Sequence, residues 1–339
     1  MLGVSESTLC SAYDLAMLDL DGVVYIGRDA VPGAAGHLDR VRECGMRLAF
    51  VTNNAARPPE AVASHLRELG IQADAGDVVT SAQAAARVLV ERLGEGARVV
   101  LLGAAGLAEA LAEVGLVAVS VDDEAEALVT GYGPEVLWRD IMRAAVRVRD
   151  GLWWVASNSD YTIPTGYGVA PGHGVLVETL SRFTGVQPLV AGKPQKPLLE
   201  ETVRRAGGER PLMVGDRLDT DIEGARNAGV DSLLVLTGVT GLAELVQATP
   251  AERPTYVAAD LGGLLRPHEA PVEGASGWEL GGWRAAMSDG QLVVAGDGGA
   301  DDWWAVVACA AWSHLDGDGG VPDTARLTPP LTVAAAAAR

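Results

Sequence analysis

The stretch 13-YDLAMLDLDGVVYIG-27 decides the fold. Its apolar run Leu15–Leu18 reads as a buried strand, and Asp19, Leu20, Asp21 and Gly22 stand at its C-terminal end. Two carboxylates in that position lose much of their hydration, a loss that a cation or hydrogen-bond donors must offset. Residues two apart share a face on a regular strand. Gly22 permits a turn, however, so Asp19 is expected to end the strand while Asp21 already lies in the turn.

Outward from this strand, 31-VPGAAGHLDRVRECG-45 reads as a helix entered through Pro32, with Ala34, Leu38 and Val41 on one face and Gly45 as its stop. The strand 47-RLAFVTNN-54 comes next. A helix opened by Pro58 and Pro59 then carries Val62, Leu66 and Leu69 at helical spacing and ends at Gly70. This β-α-β-α order implies a parallel sheet with right-handed crossovers.

Beyond 78-VVTSAQAAARVLVERLGEG-96 the rhythm restarts, with strands predicted at Arg98–Leu102, Leu116–Val119, Ala127–Thr130 and Leu152–Ala156. Helices are predicted at Gly106–Glu113 and Pro134–Val148. Further on, 211-PLMVGD-216 and 232-SLLVLTG-238 read as buried strands separated by the helix 220-TDIEGARNAG-229.

The expected fold is α/β: a doubly wound parallel sheet, an inserted α/β domain and a small C-terminal α+β extension. The expected boundaries are 12–83 and 188–265 for the two parts of the core, 84–187 for the insertion and 266–339 for linker and extension.

In the tail, 266-RPHEAPVEGASG-277 reads as a linker by its Pro, Gly and Glu content. Behind it, 283-WRAAMSDGQLVVAG-296 reads as a hairpin turning at Asp289-Gly290. Then 301-DDWWAVVACAAWSHL-315 reads as a helix capped by Asp301 or Asp302, and 331-LTVAAAAAR-339 as a frayed end. Trp278, Trp283, Trp303, Trp304 and Trp312 all lie in this tail, out of 8 tryptophans, so it should pack on the main body or on a second subunit.

The chain has 339 residues, is 48% hydrophobic and carries a formal net charge of −19. That field disfavours nucleic acid and anionic lipid as partners, and a phosphorylated substrate would need a locally positive site. Cys10, Cys44 and Cys309 are an odd count without metal-like spacing, which suits reduced thiols. No run approaches the ~18 apolar residues of a membrane span, and 1-MLGVSESTLC-10 lacks the basic and apolar regions of a signal peptide. The expectation is a soluble, cytoplasmic protein without membrane insertion.

Four separated pieces fall at the C-terminal ends of predicted strands, the edge where doubly wound sheets bind ligands. They are 18-LDLDG-22, 50-FVTNN-54, 191-AGKP-194 and 213-MVGDRLDTD-221. Each alone has a plain explanation: a turn for the acidic pair, a helix cap for Thr52 and Asn53, a solvated loop for Lys193, a capped turn for the last. Together they offer carboxylate oxygens, hard ligands suited to Mg²⁺. A hydroxyl, backbone amides and one lysine are what a phosphate group needs.

This constellation resembles the haloacid-dehalogenase (HAD) superfamily of phosphohydrolases. The resemblance implies that Asp19 is the nucleophile and Asp21 the general acid/base, with the Asp21 backbone carbonyl on the metal. It places Thr52, the Asn53 amide and Lys193 on the phosphoryl group. Asp19 and Asp216 become Mg²⁺ ligands, and Gly22, Asn54 and Asp221 support them. The chemistry is coherent: attack by a carboxylate splits hydrolysis into phosphoryl transfer and breakdown of an aspartyl-phosphate.

The segments 21-DGVVYIG-27, 31-VPGAAGHLDRVRECG-45, 50-FVTNNAARP-58, 156-ASNSDYTIPT-165, 170-APGHG-174 and 184-TGVQPLVAGKP-194 extend the likeness to the branch with a C2-type cap. That branch includes nitrophenyl-phosphatase-like, phosphoglycolate, pyridoxal-phosphate and glycerol-phosphate phosphatases. The likeness runs from about Tyr13 to Leu265, and the chain is most similar to the actinobacterial glycerol 3-phosphate phosphatases.

Specificity in this branch belongs to the cap, where Asn158, Asp160 and His173 are candidate substrate-side residues. Ile163 stands where pyridoxal phosphatases carry a histidine, and Gly133 where relatives often have an aspartate. The likeness to the actinobacterial phosphatases implies glycerol 3-phosphate as the first expected substrate, with phosphoglycolate or broad nitrophenyl-phosphate-type activity as alternatives. The resemblance also implies a homodimer and a tail like a fragment of a GNAT-type acetyltransferase. Because the tail lacks a pyrophosphate loop, a structural or interaction role is expected of it. Two readings of other classes stand beside these: a receiver-type phosphoacceptor, which has no inserted domain, and a scaffold whose tail is the working part.

Overall fold

The structure, a computed structural model, describes residues 1–330 apart from Tyr167 and Asp318. The segment 331–339, expected to fray, lies outside the described residues. The fold is mixed α/β, and the chain divides into two compact units: Met1–Leu48 with Gly208–Arg339, and Ala49–Gly207.

In the first unit four parallel strands lie side by side in the order Tyr256–Ala258, Asp231–Val235, Pro211–Gly215, Leu15–Leu18. Leu18 pairs with Val214 and Val214 with Leu233. All of Leu15–Leu18 is buried, as expected of a parallel strand covered on both faces. The helix Ala34–Glu43 buries Ala34, Leu38 and Val41, the predicted face, and Gly45 leaves it at a φ of 89°.

The segment 266–277 corrects the linker expectation. Val272–Gly274 is an edge strand paired antiparallel with Gly277–Leu280, opening a four-stranded meander completed by Trp283–Ser288 and Gln291–Gly296. His268 is buried, and its backbone exchanges two hydrogen bonds with that of Ser5 (2.8 and 2.9 Å). Composition signalled a loop; cross-strand partners supplied by the rest of the tail made a strand.

The hairpin turns at Asp289 and Gly290 as predicted, with φ of 49° and 78°, the pair of positive values that a tight hairpin needs. The helix Ala300–Asp316 starts at Gly299 without a side-chain cap. Asp301 instead accepts the Ala259 amide at 2.7 Å, so the predicted cap is redirected into a tertiary contact. Trp303, Trp304 and Trp312 are buried among Leu218, Ile222, Leu234, Leu245 and Val257, which places the tryptophan-rich tail on the main body.

In the second unit Arg47–Thr52, which runs into it, pairs in parallel with Val78–Thr80. A separate parallel sheet has the order Leu189–Val190, Trp153–Ala156, Ala127–Thr130, Arg98–Leu102, Val117–Val119. The helix predicted from Pro134 begins at Trp138, because a turn closed by the Val136 amide on the Gly133 carbonyl (3.1 Å) occupies the preceding residues. The strands predicted at Arg98–Leu102, Leu116–Val119, Ala127–Thr130 and Leu152–Ala156 and the helix at Gly106–Glu113 form within a residue of their expected ends. The strand expected over 232–238 stops at Val235, and the helix expected over 220–229 is regular only over Glu223–Ala228. Cys10, Cys44 and Cys309 are free thiols. Among the described residues no helix is long and apolar enough to cross a membrane.

Candidate active site

In the first unit the strand Leu15–Leu18 continues its ladder one residue further, the Asp19 amide donating to the Val214 carbonyl at 2.9 Å. The chain then turns. The amides of Val24 and Tyr25 return to the Leu20 carbonyl (2.9 and 3.1 Å), and that of Gly22 donates to the Tyr25 carbonyl at 2.7 Å. Gly22 sits at a φ of 90°, and a Cβ there would fall 2.3 Å from Asp216 Oδ2. Glycine is therefore required twice over, for the left-handed backbone and for the room given to Asp216.

Asp216 and Asp221 are buried, and with Asp19 they bring carboxylate oxygens within 4.8 Å of one another. Each acid of the second pair also accepts a backbone amide. Val239 donates to Asp216 Oδ2 at 2.6 Å and Arg217 to Asp221 Oδ2 at 3.1 Å. A small divalent cation offsets the repulsion among three carboxylates so placed. The donor set is all oxygen, which suits Mg²⁺ rather than a soft transition metal.

Asp21, an exposed residue of the turn, does not join this cluster through its side chain. Protein packed around its carboxyl pushes the pKa up, against a downward pull from the Gly27 amide. A carboxyl that holds its proton longer than usual is suited to general acid/base work.

In the second unit the strand ending at Thr52 delivers the other predicted group. Thr52 Oγ1 accepts the Asn54 amide (3.1 Å), and Asn54 Oδ1 accepts the Ala56 amide (2.8 Å), which shapes the loop. Asn53 is buried at the centre of a network. Its Oδ1 accepts the Lys193 amide (2.8 Å), and its Nδ2 donates to the Lys193 carbonyl (3.0 Å) and to Asp160 Oδ1 (2.9 Å). The Asn53 carbonyl in turn accepts from Asn158 Nδ2 (2.7 Å) and Ser81 Oγ (2.6 Å).

His173 is also buried, with Nδ1 2.9 Å from the Asn158 carbonyl, so Nδ1 must be the protonated nitrogen of a neutral ring. Burial holds its pKa down to about 4. Asn53, Asn158, Asp160, His173 and Lys193 thus form one hydrogen-bonded group, and Asn158 and Asp160 shape the loop.

Sequence reading missed Ser81 and the segment Thr237–Thr240. Thr237 Oγ1 donates to the Gly22 carbonyl at 2.5 Å. The available signal was a Thr-Gly pair directly after an apolar strand, the same edge that carries the other motifs.

The haloacid-dehalogenase-like hydrolase family model matches residues 16–117, and a HAD-hydrolase-like model matches residues 190–264. The D-glycerol 3-phosphate phosphatase of Mycobacterium tuberculosis is 43% identical over 300 residues, 87% of this chain and 82% of that protein. The crystal structure of a glycerol phosphate phosphatase from the same organism, in complex with magnesium, superposes with a TM-score of 0.82. It is 41% identical, and the match covers 91% of this chain and 92% of that one. The 4-nitrophenylphosphatase of Thermotoga maritima gives a TM-score of 0.70 at 30% identity, covering 76% and 98%. Two motif-bearing regions, three clustered carboxylates and these similarities agree: the chain belongs to the haloacid-dehalogenase-like hydrolase family.

Proposed function

We propose that this chain is a Mg²⁺-dependent phosphomonoesterase that hydrolyses a small phosphorylated metabolite, with glycerol 3-phosphate as first substrate and phosphoglycolate next. The observation that carries the reading is the gathering of Asp19, Asp216 and Asp221 within 4.8 Å at the end of the first strand. The 43% identity to a D-glycerol 3-phosphate phosphatase supports the substrate.

In this reading Asp19 attacks phosphorus in line and becomes an aspartyl-phosphate, while Asp21 protonates the leaving alkoxide. Asp21 then takes a proton from the water that breaks the acyl-phosphate, and the protein packed around its carboxyl favours the protonated start. Thr52, the Asn53 amide and Lys193 hold the phosphoryl oxygens. Asp19, the Asp21 carbonyl and Asp216 hold Mg²⁺, with Asp221 as support. When bound, the ion offsets the repulsion between an anionic nucleophile and an anionic ester.

Residues 84–187 are read as a C2-type cap, the protein as cytoplasmic and the active form as a homodimer, which light scattering tests. Phosphate release from a panel of small esters, with and without Mg²⁺, tests the substrate assignment. Glycerol 3-phosphate is expected to lead; preference for pyridoxal phosphate would overturn that choice.

A further inference from the structure

The turn after the strand Asp231–Val235 converges on the acidic cluster through a series of contacts. Thr237 Oγ1 donates to the Gly22 carbonyl (2.5 Å), the Val239 amide to Asp216 Oδ2 (2.6 Å), and the Thr240 amide to the Asp216 carbonyl (3.1 Å). Between them, a Cβ on Gly238 would lie 2.0 Å from Asp216 Oδ2 and 2.7 Å from Gly22 Cα. The backbone of Gly238 therefore lies against both the metal-ligand candidate and the turn that carries Asp19 and Asp21. Thr237 and Thr240 are buried.

We propose that Thr237, Gly238 and Val239 are a positioning element of the metal site, setting the rotation of the Asp216 carboxylate and the path of the Asp19–Gly22 turn. The inference rests on the metal-dependent reading above. A carboxylate that can rotate spreads its oxygens over many directions. A 2.6 Å amide bond to one oxygen restricts that rotation and favours presentation of the other as a single ligand. Mg²⁺ demands near-octahedral geometry at short distances, so angular freedom in a ligand weakens binding directly.

Thr237 acts on the opposite wall. The carbonyl that it grips is that of Gly22, one residue after Asp21, whose own carbonyl is assigned to the metal, and a buried carbonyl that loses its donor reorients toward another. Groups that orient metal ligands typically change affinity 10- to 100-fold when removed.

The test is titration of Mg²⁺ into the full chain without substrate, followed calorimetrically, with thermal melts to confirm folding. Thr237→Val keeps the branched shape and removes the donor; it is expected to weaken Mg²⁺ binding by about tenfold or more. Thr237→Ser keeps the donor and is expected to stay within about twofold of wild type. Raising Mg²⁺ should restore much of the lost kcat in Thr237→Val, a rescue that a merely structural role would not give. Gly238→Ala, which drives a methyl into Asp216, is expected to bind Mg²⁺ more weakly than Thr237→Val.

Wild-type Mg²⁺ affinity in a folded Thr237→Val overturns the inference. If Asp216→Asn loses the ion while Thr237→Val keeps it, only the inference fails. If wild type itself takes up no Mg²⁺, the metal-dependent reading fails and the inference with it.

Discussion

Asn53 and Lys193, 140 positions apart in sequence, exchange a reciprocal pair of hydrogen bonds: the Lys193 amide donates to Asn53 Oδ1 at 2.8 Å, and Asn53 Nδ2 donates to the Lys193 carbonyl at 3.0 Å. A side-chain amide here does what a strand partner does elsewhere, pinning the backbone of the lysine assigned to the phosphate. Asn53→Asp keeps the shape but replaces the donor with an oxygen facing the Lys193 carbonyl and Asp160 Oδ1. Stability is expected to fall by about 1–3 kcal/mol. Displacement of Lys193 should lower kcat/KM about 100-fold. Denaturant melts and steady-state kinetics check both; wild-type values for the pair would contradict the pinning.

His173 gives a pH signature. Its folded pKa lies near 4, depressed by burial, against 6.5 for an unperturbed ring. Between those values the unfolded chain binds a proton that the folded chain refuses. The stabilisation is therefore fully present above about pH 6.5 and is lost as pH falls toward 4, by about 3 kcal/mol in total. His268, also depressed by burial, acts in the same direction, so a difference measurement is needed. Unfolding free energies of wild type and His173→Asn at pH 7.5 and 4.5 provide it. The variant should show the shallower loss on acidification, and parallel losses would contradict the assignment.

The tail is predicted to be inseparable from the core that it covers. Trp312 is fully buried, and its indole N–H donates to the Leu245 carbonyl at 2.8 Å. Trp312→Phe should cost about 0.5–1.5 kcal/mol for the lost hydrogen bond, since the Leu245 carbonyl keeps the Ala248 amide at 3.3 Å, and Trp312→Ala about 3–5 kcal/mol as a large cavity opens. A chain ending at Arg266 should fail to give a cooperative melt, because Leu234, Leu245 and Val257 lose their cover. A stable, folded truncation would argue instead that the tail is an independent module.

The sequence was most legible where one short-range pattern decides the outcome. The apolar run into Asp19, the Pro entry and Gly exit of the helices and the Asp289-Gly290 turn are of that kind. The acidic cluster was legible because Asp19 and Asp216 directly follow strands whose positions the apolar runs define, with Asp221 in the helical turn just beyond. Partnerships without a local signature were hidden. Nothing near Thr237 announces a bond to Gly22, and nothing in Asp301 announces that it will serve the Ala259 amide rather than cap its own helix. Val272–Gly274 reads as linker because its strand character comes from its neighbour.

The central claim is that Asp19 is the nucleophile of a Mg²⁺-dependent phosphatase, and one comparison tests it: phosphate release from glycerol 3-phosphate by wild type and Asp19→Asn, in Mg²⁺ and in chelator. Wild type is expected to turn over in Mg²⁺ and to stop in chelator. Asp19→Asn, with an unchanged melt, is expected to fall by roughly 10³-fold or more, since its amide cannot carry the phosphoryl group. Undiminished turnover by a folded Asp19→Asn would contradict the account.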